Sequence, residues 1–155
     1  MEDEKAKYKI FISHCSKDKE YVVKPVADLL ISDNISCFYD DYEIKSFDNI
    51  LDKIDYGLRN SQYVVAFIHE DYFDRNYTTN EFKSFLHNLG AKKGRILPIL
   101  LGTKLKKVFN DLSFANLVKP YIIDDYERGI PVKSAEINDL VNQIKNLLNE
   151  LNVKE

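Results

Sequence analysis

Short, nearly unbroken apolar runs alternate along this chain with longer stretches in which apolar residues return every three or four positions. An unbroken run suits a strand covered on both faces, and a stripe at helical spacing suits the helix that covers it. Repeated from one end to the other, the alternation predicts consecutive βαβ units and an α/β fold built on a mostly parallel sheet with helices on both faces. Five strands are expected: Tyr8–Ser13, Ile35–Tyr39, Gln62–Ile68, Arg95–Leu101 and Tyr121–Ile123. Helical stripes lie between and after them, at Val22, Val26, Leu29 and Leu30, at Ile50, Ile54 and Leu58, at Phe82, Phe85, Leu86 and Leu89, and from Ile137 to Leu151. Pro25 falls inside the first stripe and should either start its regular part or kink it. The 102–118 stretch reads as a loop holding a short helix.

A length of 155 residues fits one domain, here 8–152, behind a charged tail at 1–7. Lys and Arg number 22 against 25 Asp and Glu, a net charge of −3. That balance excludes a dedicated nucleic-acid binder, which needs a basic surface. Apolar residues at 45% and charged residues at 30% describe a chain that folds. No apolar run is long enough for a membrane span, and the charged start does not resemble a secretory signal. Cys15 and Cys37 are too few and too far apart for a disulfide framework or a CxxC pair, so the expectation is a cytoplasmic protein with reduced thiols.

In a sheet of this class, ligands bind beyond the carboxyl ends of the strands. The segments expected there are Ser13–Asp18, Asp40–Phe47, His69–Glu81 and Gly102–Lys107. None of the five glycines, Gly57, Gly90, Gly94, Gly102 and Gly129, lies in the first strand-to-helix turn, so neither a GxGxxG turn nor a P-loop is present. His14, His69 and His87 have no zinc-ligand spacing, and no metal is expected. Ser16 has no flanking glycine and makes no nucleophile elbow. A phosphoacceptor receiver would need an acidic pair after the first strand and a lysine after the fifth. The chain has Ser13 and His14 at the first place and Asp124 at the second, while Asp40, Asp41 and Glu43 follow the wrong strand.

Four segments carry a more specific signal: Phe11-Ile12-Ser13-His14-Cys15-Ser16-Lys17-Asp18, Phe38-Tyr39-Asp40-Asp41-Tyr42-Glu43-Ile44, Ile54-Asp55-Tyr56-Gly57-Leu58-Arg59-Asn60-Ser61 leading into Val64-Val65, and Tyr77-Thr78-Thr79-Asn80-Glu81. In order and spacing they resemble the bacterial TIR (Toll/interleukin-1 receptor) domains, and Ile96-Leu97-Pro98-Ile99 is similar to that family's fourth strand. The resemblance covers residues 8 to about 101. It implies a flavodoxin-like fold and, by likeness to the NAD-cleaving members, a catalytic carboxylate at Glu81. It also implies substrate contacts from Ser13, His14, Asp40 and Tyr77, and a BB loop containing Glu43, Lys45, Ser46 and Phe47 that acts as a lid or meets a neighbouring subunit. Most members have glycine where this chain has Phe47, and tryptophan where it has Tyr77.

The chemistry suits such a residue set. The nicotinamide of NAD+ is a cationic leaving group that departs neutral, so its N-glycosidic bond can break without the general acid that an ordinary glycoside requires. One carboxylate beside the ribose can stabilise the oxocarbenium-like state or orient the ribose hydroxyls. Tyr77 and Glu81 stand one helical turn apart, which puts ring and carboxylate on one face. The resemblance therefore implies NAD+ as substrate with no separate cofactor, giving nicotinamide plus ADP-ribose or a cyclic ADP-ribose isomer in antiviral defence. Its expected partners are other TIR subunits through the BB loop and a separate sensor or effector protein. Two other readings fit the same sheet: a non-catalytic TIR interaction module, and a nucleoside deoxyribosyltransferase-like enzyme that would ignore NAD+.

Overall fold

A computed structural model describes residues 8–39, 47–70, 95–102 and 120–154. Its elements run β1 (Tyr8–Ser13), α1 (Lys24–Ser32), β2 (Cys37–Phe38), α2 (Phe47–Asn60), β3 (Ser61–His69), β4 (Ile96–Leu101), β5 (Tyr121–Ile123) and α3 (Ser134–Lys154). The strands form one sheet in the order β2-β1-β3-β4-β5, and every pairing is parallel. This is the flavodoxin-like order, with the chain reversing its direction of travel across the sheet between β1 and β3. The expected helix around 82–89, most of the 102–118 stretch and the tail at 1–7 lie outside the described residues.

Strand alternation sorts the core into two faces. Ile10 and Ile12 of β1, Tyr63, Val65 and Phe67 of β3, Leu97, Ile99 and Leu101 of β4, and Ile123 of β5 form one cluster with Val26, Ala27 and Leu30 of α1 and Ile137, Leu140, Val141, Ile144 and Leu148 of α3. Phe11 points the other way, stacking with Phe38 at 5.6 Å and meeting the edge of Tyr56 at 5.8 Å. Gly57 brings α2 down onto this ring, and a methyl group at position 57 would collide with it. The long stripe of α3 thus packs on the sheet, as its spacing predicts.

Local departures from expectation have identifiable causes. The second strand is two residues rather than Ile35–Tyr39. Asn34 takes a left-handed conformation at φ 67°, and the Ile35 N–H closes the end of α1 by donating to the Leu30 carbonyl at 3.0 Å. Ser36 then serves β1 with both its carbonyl and its hydroxyl, leaving regular pairing to Cys37 and Phe38. Leu29, expected on the buried stripe, is 36% exposed, because Val22, Val23, Val26, Ala27 and Leu30 already complete that face. Before α1 the chain winds through a 3₁₀ turn at Ser16–Asp18 and a π turn at Lys19–Val23, and Pro25 sits in the first turn of the regular helix, where its missing N–H costs nothing. Phe47, expected in the BB loop, is the first residue of α2. Arg95 precedes β4 instead of opening it, and its guanidinium donates to the carbonyls of Leu58, Ser61 and Gln62, fastening the direct junction of α2 and β3.

Candidate functional site

The buried polar side chains among the described residues are Ser13, His14, Asp18, Ser61 and His69. All but Ser61 gather where β1 and β3 end, at the carboxyl edge of the sheet. A buried polar group needs partners to offset lost hydration, so such a gathering marks a place where the fold accepts that cost.

Ser13 ends β1 and pairs in register with Ala66, while His14 follows it into the loop. Both are buried, at 1% and 0% exposure. The His14 ring meets Tyr39, beyond the end of β2, edge to face at 5.5 Å, and the Lys19 ammonium stands 5.8 Å from the same Tyr39 ring. Asp18, in the 3₁₀ turn, donates its N–H to the Cys15 carbonyl at 2.9 Å and carries a carboxylate that is 1% exposed. Its Oδ1 accepts from the Tyr126 hydroxyl at 2.6 Å and from Arg128 Nε at 2.8 Å, and its Oδ2 accepts from Arg128 Nη2 at 3.1 Å. The guanidinium therefore grips both carboxylate oxygens, the geometry in which an ion pair compensates burial best. Burial and the hydrogen bond to Asp18 hold the Tyr126 phenol well above the usual tyrosine range, so it stays a donor at any ordinary pH.

His69, the last residue of β3, meets the Tyr126 ring edge to face at 5.6 Å. Glu70 continues from β3 with its N–H on the Leu101 carbonyl at 3.0 Å, and Gly102 bonds the Ile123 carbonyl at 2.9 Å. Gly102 has φ +117°, and its missing side chain leaves the room that the Glu70 carboxylate fills. A cleft of about 210 Å³ opens beyond Tyr126, lined by Asp125, Tyr126, Glu127, Ile130, Val132 and Lys133. It is smaller than the roughly 300–1,000 Å³ that drug-sized ligands occupy, and a dinucleotide would not fit within it.

Of the residues expected to act, the structure places Ser13 and His14 together at the end of β1. Asp40, Glu43, Lys45, Ser46, Tyr77 and Glu81 lie outside the described residues. Among those that are described, no group of three or more His, Cys, Asp or Glu could hold a metal ion, and no helix is long and apolar enough to cross a membrane. Asp18 lies in the first motif with no role implied for it there, and no motif marks Tyr126 or Arg128. The available signal is a Tyr-Glu-Arg triplet two residues beyond a short strand, but nothing in a sequence ties it to an aspartate 108 and 110 positions away.

The model of the TIR domain family matches residues 10–130. The chain belongs to that family. Among curated proteins, this TIR domain is 31% identical over 142 residues to the 2′ cyclic ADP-D-ribose synthase BtTIR of Bacteroides thetaiotaomicron, covering 90% of the chain and 46% of the relative. It is 32% identical over 144 residues to the 2′ cyclic ADP-D-ribose synthase AbTIR of Acinetobacter baumannii, covering 93% of the chain and 48% of the relative. An NAD(+) hydrolase from a Theionarchaea archaeon, TcpA, is 27% identical over 135 residues, with 87% of the chain and 40% of the relative covered. The TIR domain thus spans less than half the length of the relatives it matches.

Proposed function

We propose that this TIR domain cleaves the bond between nicotinamide and ribose in NAD+, with Glu81 as the catalytic carboxylate. The observation that carries the reading is the alignment of about nine-tenths of the chain with relatives named as 2′ cyclic ADP-D-ribose synthases. The ribose C1′–N bond breaks, and nicotinamide leaves neutral with the electron pair. The Glu81 carboxylate stabilises the positive charge that develops on the ribose. Tyr77, four residues before it in the sequence, walls the nicotinamide, while Asp40 and the Ser13–His14 pair complete the ribose side of the pocket. Attack by water gives ADP-ribose, and attack by a hydroxyl of the ADP-ribosyl group itself gives a cyclic isomer; either route releases one proton. Two of the three relatives above are named for the cyclic product, which favours the cyclic isomer here. Glu43, Lys45, Ser46 and Phe47 contact a neighbouring TIR subunit, and the enzyme works in the cytoplasm, making a defence signal at the prompting of a separate sensor protein.

The test is nicotinamide release from NAD+ by concentrated protein, wild type beside Glu81→Gln, with the nucleotides resolved by mass. Release that disappears in the variant, with a product one water lighter than ADP-ribose, is expected. No release, even under crowding that promotes assembly, would overturn the reading in favour of a non-catalytic interaction module.

A further inference from the structure

The loop after β1 and the loop after β5 are joined by more than proximity. Asp18 is buried at the end of the first loop, and its ligands, the Tyr126 hydroxyl and the Arg128 fork, both come from the second. Alongside them the Val132 N–H bonds the Tyr21 carbonyl at 3.0 Å. The Tyr126 ring also meets His69 at the end of β3. Tyr126 and Arg128 meet the first of the expected ligand-binding segments at Asp18, and Tyr126 meets the third at His69. They are linked to Ser13 and His14 through the five-residue step from Ser13 to Asp18, whose middle is tightened by the Asp18 N–H on the Cys15 carbonyl.

We propose that Tyr126 and Arg128 are positioning residues for the NAD+ site, acting through Asp18 to hold the 13–18 loop in its binding geometry; the inference rests on the NAD+ reading above. A planar guanidinium on both carboxylate oxygens fixes direction as well as distance, and the phenol fixes a third line of approach, so the carboxylate cannot rotate without losing a bond. A binding loop held this way meets its substrate with its ordering cost already met, which lowers KM more than it raises kcat.

Three variants test this: Tyr126→Phe, which removes one hydroxyl and keeps the ring; Arg128→Ala; and Arg128→Lys, which restores charge without the fork. Two readouts are taken on the full chain: steady-state NAD+ cleavage, and amide hydrogen exchange without NAD+. The expected result is a KM for NAD+ raised roughly ten-fold in Arg128→Ala and roughly three-fold in Tyr126→Phe, with kcat within about two-fold and Arg128→Lys between wild type and Arg128→Ala. Amides 14–18 should exchange faster in the variants while those of β4 keep their protection. Unchanged exchange at 14–18, or a loss confined to kcat, would overturn the proposal. Wild-type protein inert towards NAD+ would overturn the functional reading instead, and the exchange data would still decide whether the clamp holds the loop.

Discussion

The two ends of the sheet solve different problems. At the amino end, the junction of α2 with β3 is closed by saturation: Arg95 donates to three carbonyls, and the buried Ser61 hydroxyl bonds the carbonyls of Gly57 and Tyr63. These contacts are local or bridge adjacent elements, and their purpose is served once the chain is folded. At the carboxyl end, Ser13, His14, Asp18 and His69 are buried together, and the groups that compensate Asp18 come from a distant loop. Buried polar groups cost more than the apolar residues that could replace them, so a fold that concentrates them at one end keeps that end for something other than stability. Changes at the carboxyl end should therefore alter activity, and changes at the amino end should alter stability alone.

That contrast can be broken in several places. The largest effect is expected for Glu81→Gln, which should reduce nicotinamide release at least 100-fold while Tm moves by no more than about 2 °C; a proportional fall in both would turn Glu81 into a folding residue. Next comes Arg128→Ala, which strands a buried carboxylate and should cost about 3 kcal/mol by urea unfolding, the one carboxyl-end change expected to register strongly in both activity and stability. Gly57→Ala forces a methyl group into the Phe11 ring and should cost roughly 2 kcal/mol with KM for NAD+ unchanged. Arg95→Ala removes three hydrogen bonds from a largely solvated edge and should cost about 1 kcal/mol, some 2–4 °C in Tm, again with KM unchanged. A rise in KM in either of these two would erase the division between the ends.

The smallest effect concerns pH. Burial pushes the Cys37 thiol from 9.0 up to about 12. Its raised folded value means the neutral thiol is favoured in the native state. The associated stability is complete below pH 9 and declines as pH rises from 9 towards 12. A Cys37→Ala variant should lose less stability across that window than the wild type, and Cys37 in the folded protein should be alkylated at least ten-fold more slowly at pH 8 than in urea.

Much of this architecture was legible because parallel strands covered on both faces leave unbroken apolar runs, which is why β1, β3, β4 and β5 were located to within a residue or so. β2 is shorter than its apolar run implies because apolar character at Ile35 says nothing of where its N–H goes; the positive φ at Asn34 turns that group back to α1. Leu29 stands exposed beside the buried Leu30 because two adjacent leucines satisfy a helical stripe equally well until the neighbouring side chains choose between them. Ser13 and His14 were found through a local motif. The Asp18 clamp was not, since its members are individually unremarkable charged and aromatic residues that acquire meaning only once β1 and β5 stand in one sheet.

The separation that hid this clamp also has a kinetic consequence. Bringing residues 18 and 128 together closes nearly three-quarters of the chain into one loop, and the entropy of such a closure is recovered only after the strands between them have assembled. The contact should form after the rate-limiting barrier to folding. Weakening it would then leave the refolding rate nearly untouched and appear almost wholly as faster unfolding, so the arginine in the loop after β5 acts as the latch that sets how long a folded molecule lasts.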